Sequence, residues 1–335
     1  MIKMTKNSKI AILITLVVAA AMPFIVPFNN YWMNILLSFC YFSICASSLN
    51  LLLGYTGQVS MGHNAFMCIG AYSYGIFCVN YQFVGSQIIG FLLGLAIPFL
   101  FGLFIGVGCS RLSAIFLAMA TGAFAKALKA FIIAEAWLTG GPNGLTKIPK
   151  MKLFGMDKLP VAEYDRILYF IMIGVTFVVI LCCWRLINSR IGRAFRAINT
   201  SPIAAASMGI NVTGYKLLVC GISAAMAGLS GVFYAWNLSY VSADMFDKMG
   251  VKLMTMAVAG GMSTIPGPIV GAVVMGYLPE LLRTFGGHLE GIYGLLIISV
   301  FLFIPTGLYG AFRNLAAWVG KKFKKPAESA AGEGE

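Results

Sequence analysis

The chain of 335 residues is 59% hydrophobic and only 10% charged, whereas a soluble domain carries about 25% charged residues. This composition excludes a soluble globular protein and predicts an all-α, polytopic bundle of membrane-spanning helices. The net charge of +13 does not indicate binding to nucleic acid, because Lys and Arg gather at the ends of apolar runs, as topology signals do.

The first apolar run, at 10–26, follows Lys3, Lys6 and Lys9. A signal peptide has the same layout, but the residues around Pro23 offer no cleavage site of the small-x-small type. We therefore predict an uncleaved first span at 10–28, with the N-terminus in the cytoplasm.

Apolar runs of about 20 residues predict the other spans. The run at 250–283 is too long for one helix and is divided at VAGGMSTIPGPIVGA. The complete set of predicted spans is 10–28, 32–53, 64–80, 87–109, 113–134, 167–187, 215–237, 250–264, 267–283 and 291–310. Ten crossings place the basic C-terminal tail in the cytoplasm, and nine crossings remain open if the two short halves of 250–283 are re-entrant.

We expect residues 1–320 to form a single transmembrane domain. Arg111 and the segment 188–214 fall in the cytoplasm, and 135–166 forms an outer loop. Lys and Arg in that outer loop argue against this topology, because the rule that sets orientation counts basic residues. The tail 321–335, first basic and then acidic, is expected to be cytoplasmic and disordered.

Two Gly-rich segments, near 54–64 and 260–268, interrupt the apolar pattern. Non-helical backbone at membrane depth must be buried in protein or line a water-filled path, so we predict that both belong to a translocation path or its hinge. The alternative is ordinary packing of helices through small residues. The candidate residues are Gly54, Gly57, Gln58, Ser60, Gly62, His63, Gly260, Gly261, Gly267, Pro268 and Gly271.

Ionisable residues inside the spans are few. Lys126 and Lys129 lie one turn apart, and we expect them to reach the outer interface rather than to relay protons. Glu280 and Arg283 are explained by a local ion pair. The two histidines, His63 and His288, are too far apart in sequence to indicate a metal site, and the eight cysteines are expected to be buried thiols.

The segment 189–216 predicts a short cytoplasmic helix–turn–helix. Three arginines at i, i+3 and i+6 form a stripe, and Ser201-Pro202 then restarts a helix that Gly209 ends. Its Ala-rich second half suits docking on a soluble partner, whereas the arginine stripe also fits a helix lying on anionic lipid. The candidate coupling residues are Arg193, Arg196, Asn199, Ala204, Ala205 and Gly209.

Four blocks, in order along the chain, carry a resemblance to a known family. They are LNLLLGYTGQVSMGHNAFMCIGAY, LTGGPNGL, RAFRAINTSPIAAASMGINVTGYKLLVCGISAAMAGLSGVFYA and GGMSTIPGPIVGA. Together they resemble the branched-chain amino acid ABC transporter permeases of the LivM type. The family's Glu-Ala-Ala-x-x-x-Gly docking element is kept here at Ala204, Ala205 and Gly209, but Ile203 replaces the Glu. The resemblance therefore implies an ATPase contact that is mainly apolar.

The resemblance implies a non-enzymatic permease subunit of an ATP-driven importer for Leu, Ile, Val or related amino acids in the bacterial cytoplasmic membrane. Its implied partners are a second permease (LivH-like, or a second copy), two cytoplasmic ATPases that bind the ATP, and an extracytoplasmic binding protein. No cofactor or metal is expected, and the chain has no Gly-x-x-x-x-Gly-Lys-Ser/Thr element. An ion-coupled secondary transporter and an ABC permease for urea or short amides remain alternatives.

Overall fold

The computed structural model describes residues 30–81, 83, 85–109, 112, 114–151, 161–282, 289–303, 307–312 and 314. The predicted first span at 10–28, Arg111, Arg283, His288 and the tail 321–335 lie outside these described residues. Within them the chain is helical throughout, with a single isolated antiparallel bridge between Leu145 and Val241.

Twelve α-helices are numbered here in chain order over the described residues. They are α1 (Asn30–Thr56), α2 (His63–Asn80), α3 (Ser86–Cys109), α4 (Ala114–Ala134), α5 (Ala136–Thr139), α6 (Val161–Asn188), α7 (Arg190–Thr200), α8 (Pro202–Ser207), α9 (Val212–Leu238), α10 (Ala243–Gly261), α11 (Gly267–Leu281) and α12 (Leu289–Phe303). A 3-10 turn, Gly141–Asn143, follows α5.

Among the described residues, five helices are long and apolar enough to cross a membrane, namely α1, α3, α4, α6 and α9. The helices α2, α10, α11 and α12 follow the remaining predicted spans. The all-α polytopic bundle is thus confirmed, including the breaks at 57–62 and 262–266. The number of crossings stays a prediction.

Contacts between helix ends show that α1 and α10 run toward one end of the bundle and that α11 runs back. We call the end that carries residues 189–211 the basic end. The C-terminal end of α1 meets it through Asn199, and Ser263, after α10, meets Gly54 at the same place. At the opposite end, Tyr31 at the start of α1 donates a hydrogen bond to Glu280 near the end of α11.

Helix α9 lies at the centre of the bundle, where small residues allow close approach. A Cβ atom on Gly228 or Gly231 would collide with α3 or with the backbone of α2. The hydroxyl of Ser230 donates to the carbonyl oxygen of Tyr41 on α1 at 2.7 Å. The side chain of Trp236 is 1% exposed and contacts the rings of Tyr74 and Phe91. Helices α1, α2 and α3 therefore pack around α9.

Two predicted boundaries differ from the structure. Helix α10 begins at Ala243 rather than at 250, because its first turns are polar and hydropathy does not detect them. Helix α6 begins at Val161, inside the predicted outer loop 135–166. The described part of that loop packs on the bundle, since Tyr74 donates to the carbonyl oxygen of Pro149 at 2.8 Å and Ile148 is buried.

Candidate functional site

The first break separates α1 from α2. The backbone at Gly57 is left-handed, with φ of +69°, and a Cβ atom there would collide with the side chain of Asn199. Glycine is the residue that adopts this conformation without strain. At the other side of the break, the amide of Met61 donates to the Thr121 hydroxyl of α4 at 3.1 Å, and Gly62 packs against the same residue.

Polar side chains of the first break point into the bundle. Gln58, Ser60 and His63 are 5%, 2% and 1% exposed. Ser60 Oγ lies 3.0 Å from His63 Nδ1, and Cys220 Sγ donates to Gln58 Oε1 at 3.4 Å. Within the described residues, Nε2 of both Gln58 and His63 has no hydrogen-bond partner. Buried polar atoms normally have one, so this stretch has free capacity to bind water or a polar solute.

The second break, at 262–266, is held by short side chains. Thr264 Oγ1 donates to the carbonyl of Gly261 at 2.8 Å and accepts from the amide of Gly267 at 3.2 Å. Gly260 and Gly271 bring the backbones of α10 and α11 together, because a Cβ on either would collide with the other helix. These predicted residues, with the buried Pro268, thus lie at a close helix contact.

A cluster of five residues joins the two breaks to each other and to the basic end. We call it the Gly54 cluster, and it consists of Asn50, Gly54, Asn199, Ser263 and Thr264. Asn50 accepts from the amide of Ser263 at 2.9 Å and donates to the carbonyl of Thr264 at 2.7 Å. The carbonyl of Gly54 accepts from Ser263 Oγ at 2.6 Å and from Asn199 Nδ2 at 3.1 Å.

Asn199 belongs to the helical hairpin formed by α7 and α8, residues 190–207. Ser189 caps α7, and Ser201 caps α8 by accepting from the amide of Ala204 at 3.2 Å. Gly209 ends the hairpin with φ of +79°. The predicted stop, restart and end of this helix–turn–helix are therefore all confirmed.

The hairpin presents an apolar tip. Ile203 and Met208 are each 83% exposed, Ala204 is exposed, and Ala205 is buried against the bundle. Arg193 is exposed, whereas Arg196 folds back and donates to the carbonyl of Ile187 at 2.8 Å. Only part of the arginine stripe therefore faces solvent. The main exposed feature of the hairpin is its apolar tip, which no other part of the described chain covers.

The sequence reasoning missed the partners of Lys126 and Lys129. Both lysines pair with Asp247 of α10, and Lys129 also pairs with Asp244 at 2.7 Å. We call these four residues the lysine–aspartate cluster. The expectation that both lysines reach the outer interface stays a prediction, and the structure adds their partners, because α10 extends to Ala243 and carries the two carboxylates to α4. The sequence does contain a signal for these partners, because Asp244 and Asp247 are spaced i and i+3 and would lie on one face of a helix. It was missed because no helix is predicted between residues 237 and 250.

The family described as "Branched-chain amino acid transport system / permease component" matches residues 31–305. The chain is 28% identical to the high-affinity branched-chain amino acid transport system permease protein LivM of Salmonella typhimurium, over 91% of the chain and 75% of that protein. LivM of Escherichia coli is 27% identical over the same shares.

A second kind of relative matches a shorter part. The permease protein LivH of Escherichia coli is 32% identical over 41% of this chain and 45% of its own length. No solved structure matches the chain.

Proposed function

The chain belongs to the branched-chain amino acid permease family as a LivM-type, non-catalytic subunit of an ABC importer, and from that membership we propose that it carries leucine, isoleucine, valine or related amino acids. The family match over 31–305 supports this proposal. Such substrates are zwitterions with apolar side chains. A path with small residues and isolated polar groups suits them, because it offers hydrogen bonds without a deep binding well.

We propose that the hairpin of α7 and α8 docks on a cytoplasmic ATPase. Its exposed Ile203 and Met208 support an apolar contact at the position where the family's docking element lies. ATP binds to the two partner ATPases rather than to this chain, which needs no cofactor of its own. An extracytoplasmic binding protein delivers the substrate to the opposite end of the bundle.

The second permease is proposed to be a LivH-like chain, with a second copy of this chain as the alternative. The separate LivM and LivH relatives support two kinds of permease subunit in one transporter. Helix α4 offers a face for such a partner, because it is largely exposed and because it covers the first break through Thr121.

The Gly54 cluster suggests how ATPase movement reaches the path. Asn199 connects the hairpin directly to the C-terminal end of α1, and Ser263 connects the same carbonyl to the second break. Displacement of the hairpin would therefore act on both breaks at once. Rigid-body rocking of the surrounding helices would then open the path alternately to the two sides.

The protein is a multi-pass membrane protein, and we propose that it lies in the bacterial cytoplasmic membrane with both termini and the basic end in the cytoplasm. The arginines of α7 support this orientation, because Lys and Arg in short loops favour the cytoplasmic side.

The test is uptake of radiolabelled leucine by proteoliposomes that contain the chain, its partner permease, the ATPases and the binding protein. We expect uptake that requires both the binding protein and ATP on the ATPase side, and that excess isoleucine or valine suppresses. Uptake of urea or a short amide instead would replace the substrate assignment. Uptake driven by an ion gradient without the ATPases would overturn the mechanism.

A further inference from the structure

Two small cavities lie inside the bundle, one beside each break. The first lies between α2, α4 and α10, and Asn64, Lys129 and Asp247 line its polar side. The second lies between α1 and α6 and reaches Ile265 of the second break. Each has a volume of about 10 Å³ for a water-sized sphere. A cavity of this size holds a single water molecule.

The first cavity contains a buried acceptor without a donor. Asn64 is 6% exposed, and its Nδ2 donates to the carbonyl of Phe246 at 3.2 Å. Its Oδ1 has no hydrogen-bond partner among the described residues. Buried polar atoms in folded proteins are normally hydrogen-bonded, and an ordered water often supplies the bond that the protein does not.

The charged groups beside Asn64 provide the other partners that a water needs. The ammonium of Lys129 has three N–H donors. Two of them are directed at Asp244 Oδ1, at 2.7 Å, and Asp247 Oδ2, at 2.9 Å, so one donor remains within the described chain. A water in this cavity can accept from Lys129 and donate to Asn64 Oδ1 and to Asp247. These are the three hydrogen bonds typical of a buried water.

The second cavity repeats this combination with neutral groups. Ser47 is 9% exposed, and its Oγ has no partner in the part of the chain that the structure describes. Asn50 and Tyr55 line the same cavity and offer further polar groups to a water. Because Asn50 also bonds Ser263 and Thr264, this cavity adjoins the Gly54 cluster.

We propose that each cavity binds one water molecule and that water thereby joins both breaks to the surrounding helices. The volume excludes a larger solute. A metal cation is disfavoured in the first cavity by the ammonium of Lys129, and no carboxylate lines the second. Among the described residues, no group of three His, Cys, Asp or Glu side chains could hold a metal ion.

A water bridge suits a helix break that moves. A bridging water bonds nearly as well as a direct partner, and it can turn and renew its bonds when the helices shift. A buried polar group then keeps a partner in more than one arrangement of the bundle. The two sites follow from packing and hydrogen bonding alone, so they hold whichever solute the chain carries.

X-ray footprinting of the full transporter complex in lipid nanodiscs tests both sites. A short X-ray pulse converts water into hydroxyl radicals, which oxidise the side chains that they touch, and mass spectrometry identifies the oxidised residues. A buried cysteine is therefore oxidised rapidly only where it lies beside a bound water. Cys68 lines the first cavity and Cys183 lines the second.

Cys45 and Cys40 are the matched controls. Cys68 and Cys45 are 3% and 0% exposed, Cys183 and Cys40 are 7% and 6% exposed, and neither control lines either cavity. We expect Cys68 and Cys183 to be oxidised about tenfold faster than their controls, because a bound water places the source of the radical beside the sulfur. Equal rates within each pair would overturn the proposal.

Two variants separate the sites. Asn64→Leu removes the acceptor of the first site, so the oxidation of Cys68 should fall to the rate of Cys45 while that of Cys183 stays unchanged. Ser47→Val replaces the hydroxyl of the second site with methyl groups and should have the opposite effect. In each variant the other cavity reports that the bundle is folded. A loss at both cavities in one variant, or at neither, would contradict two separate water sites.

Discussion

At the scale of single residues, Gly57 of the first break is constrained in two ways. Its φ of +69° is left-handed, and the side chain of Asn199 lies where a Cβ atom would stand. Both features require glycine, one through backbone strain and the other through direct collision. The Gly-rich sequence indicated the unusual backbone conformation. It could not indicate the contact with Asn199, which lies 142 positions further along the chain.

Gly57→Ala should therefore lower the stability of the chain. A residue with a Cβ atom costs about 1–2 kcal/mol in this conformation, which corresponds to a fall in Tm of about 2–8 °C. Thermal unfolding of the purified chain in detergent, followed by tryptophan fluorescence, measures this. Gly108→Ala is the control, because a Cβ at Gly108 meets nothing within 4 Å. An equal Tm for both variants would contradict the strained backbone.

At the scale of elements, the hairpin of α7 and α8 combines an apolar tip with a polar attachment to the bundle. Ile203 and Met208 are exposed at the tip, while Asn199 is bonded to α1. Its caps were predictable, because Ser201-Pro202 and Gly209 act through local backbone geometry. The hydrogen bond that attaches Asn199 to Gly54 was not predictable, because local sequence patterns carry no information about a contact 145 residues away.

The double variant Ile203→Arg, Met208→Arg should weaken docking of the ATPase. Two charges would have to be buried in an apolar contact, so we expect the amount of ATPase that co-purifies with the permease to fall at least about tenfold. Asn188→Arg adds a charge at the same end of the bundle but away from the tip, and should co-purify normally. Full ATPase recovery with the double variant would remove the docking role from the hairpin.

The positions of the helices could also be predicted from local sequence, whereas the contacts between helices could not. Hydropathy predicted the positions of most spans, because an apolar run of sufficient length has few alternatives to a membrane helix. It missed the first turns of α10, whose Asp244 and Asp247 make them polar. Their pairing with Lys126 and Lys129 depends on which helices become neighbours, and hydrophobic periodicity does not contain that information.

At the scale of the whole molecule, the two ends of α9 place 141–143 and 189–211 at opposite ends of the bundle. The first segment contacts Tyr240, after α9, through the carbonyl of Asn143, and the second segment directly precedes α9. In the proposed orientation, the basic residues of α7 place the hairpin in the cytoplasm, because Lys and Arg favour that side. With that orientation, the hairpin faces the side on which the proposed ATPases bind.

Cysteine labelling in intact cells should confirm that orientation. In a variant with the native cysteines replaced, Asn143→Cys should react with a membrane-impermeant maleimide from outside. Ser207→Cys should react only after the cells are lysed, and serves as the matched inner position. The reverse pattern would place the hairpin outside and contradict ATPase docking.

The central claim is that Asn199 transmits movement of the hairpin to both breaks through the carbonyl of Gly54. The most direct measurement is simultaneous ATP hydrolysis and leucine uptake by vesicles that contain the Asn199→Ala transporter. Hydrolysis should stay within twofold of the native rate while uptake falls about tenfold, because the loss of one part-buried hydrogen bond costs roughly 0.5–1.5 kcal/mol and about 1.4 kcal/mol corresponds to a factor of ten. Unchanged uptake, or a parallel loss of hydrolysis and uptake, would contradict the account.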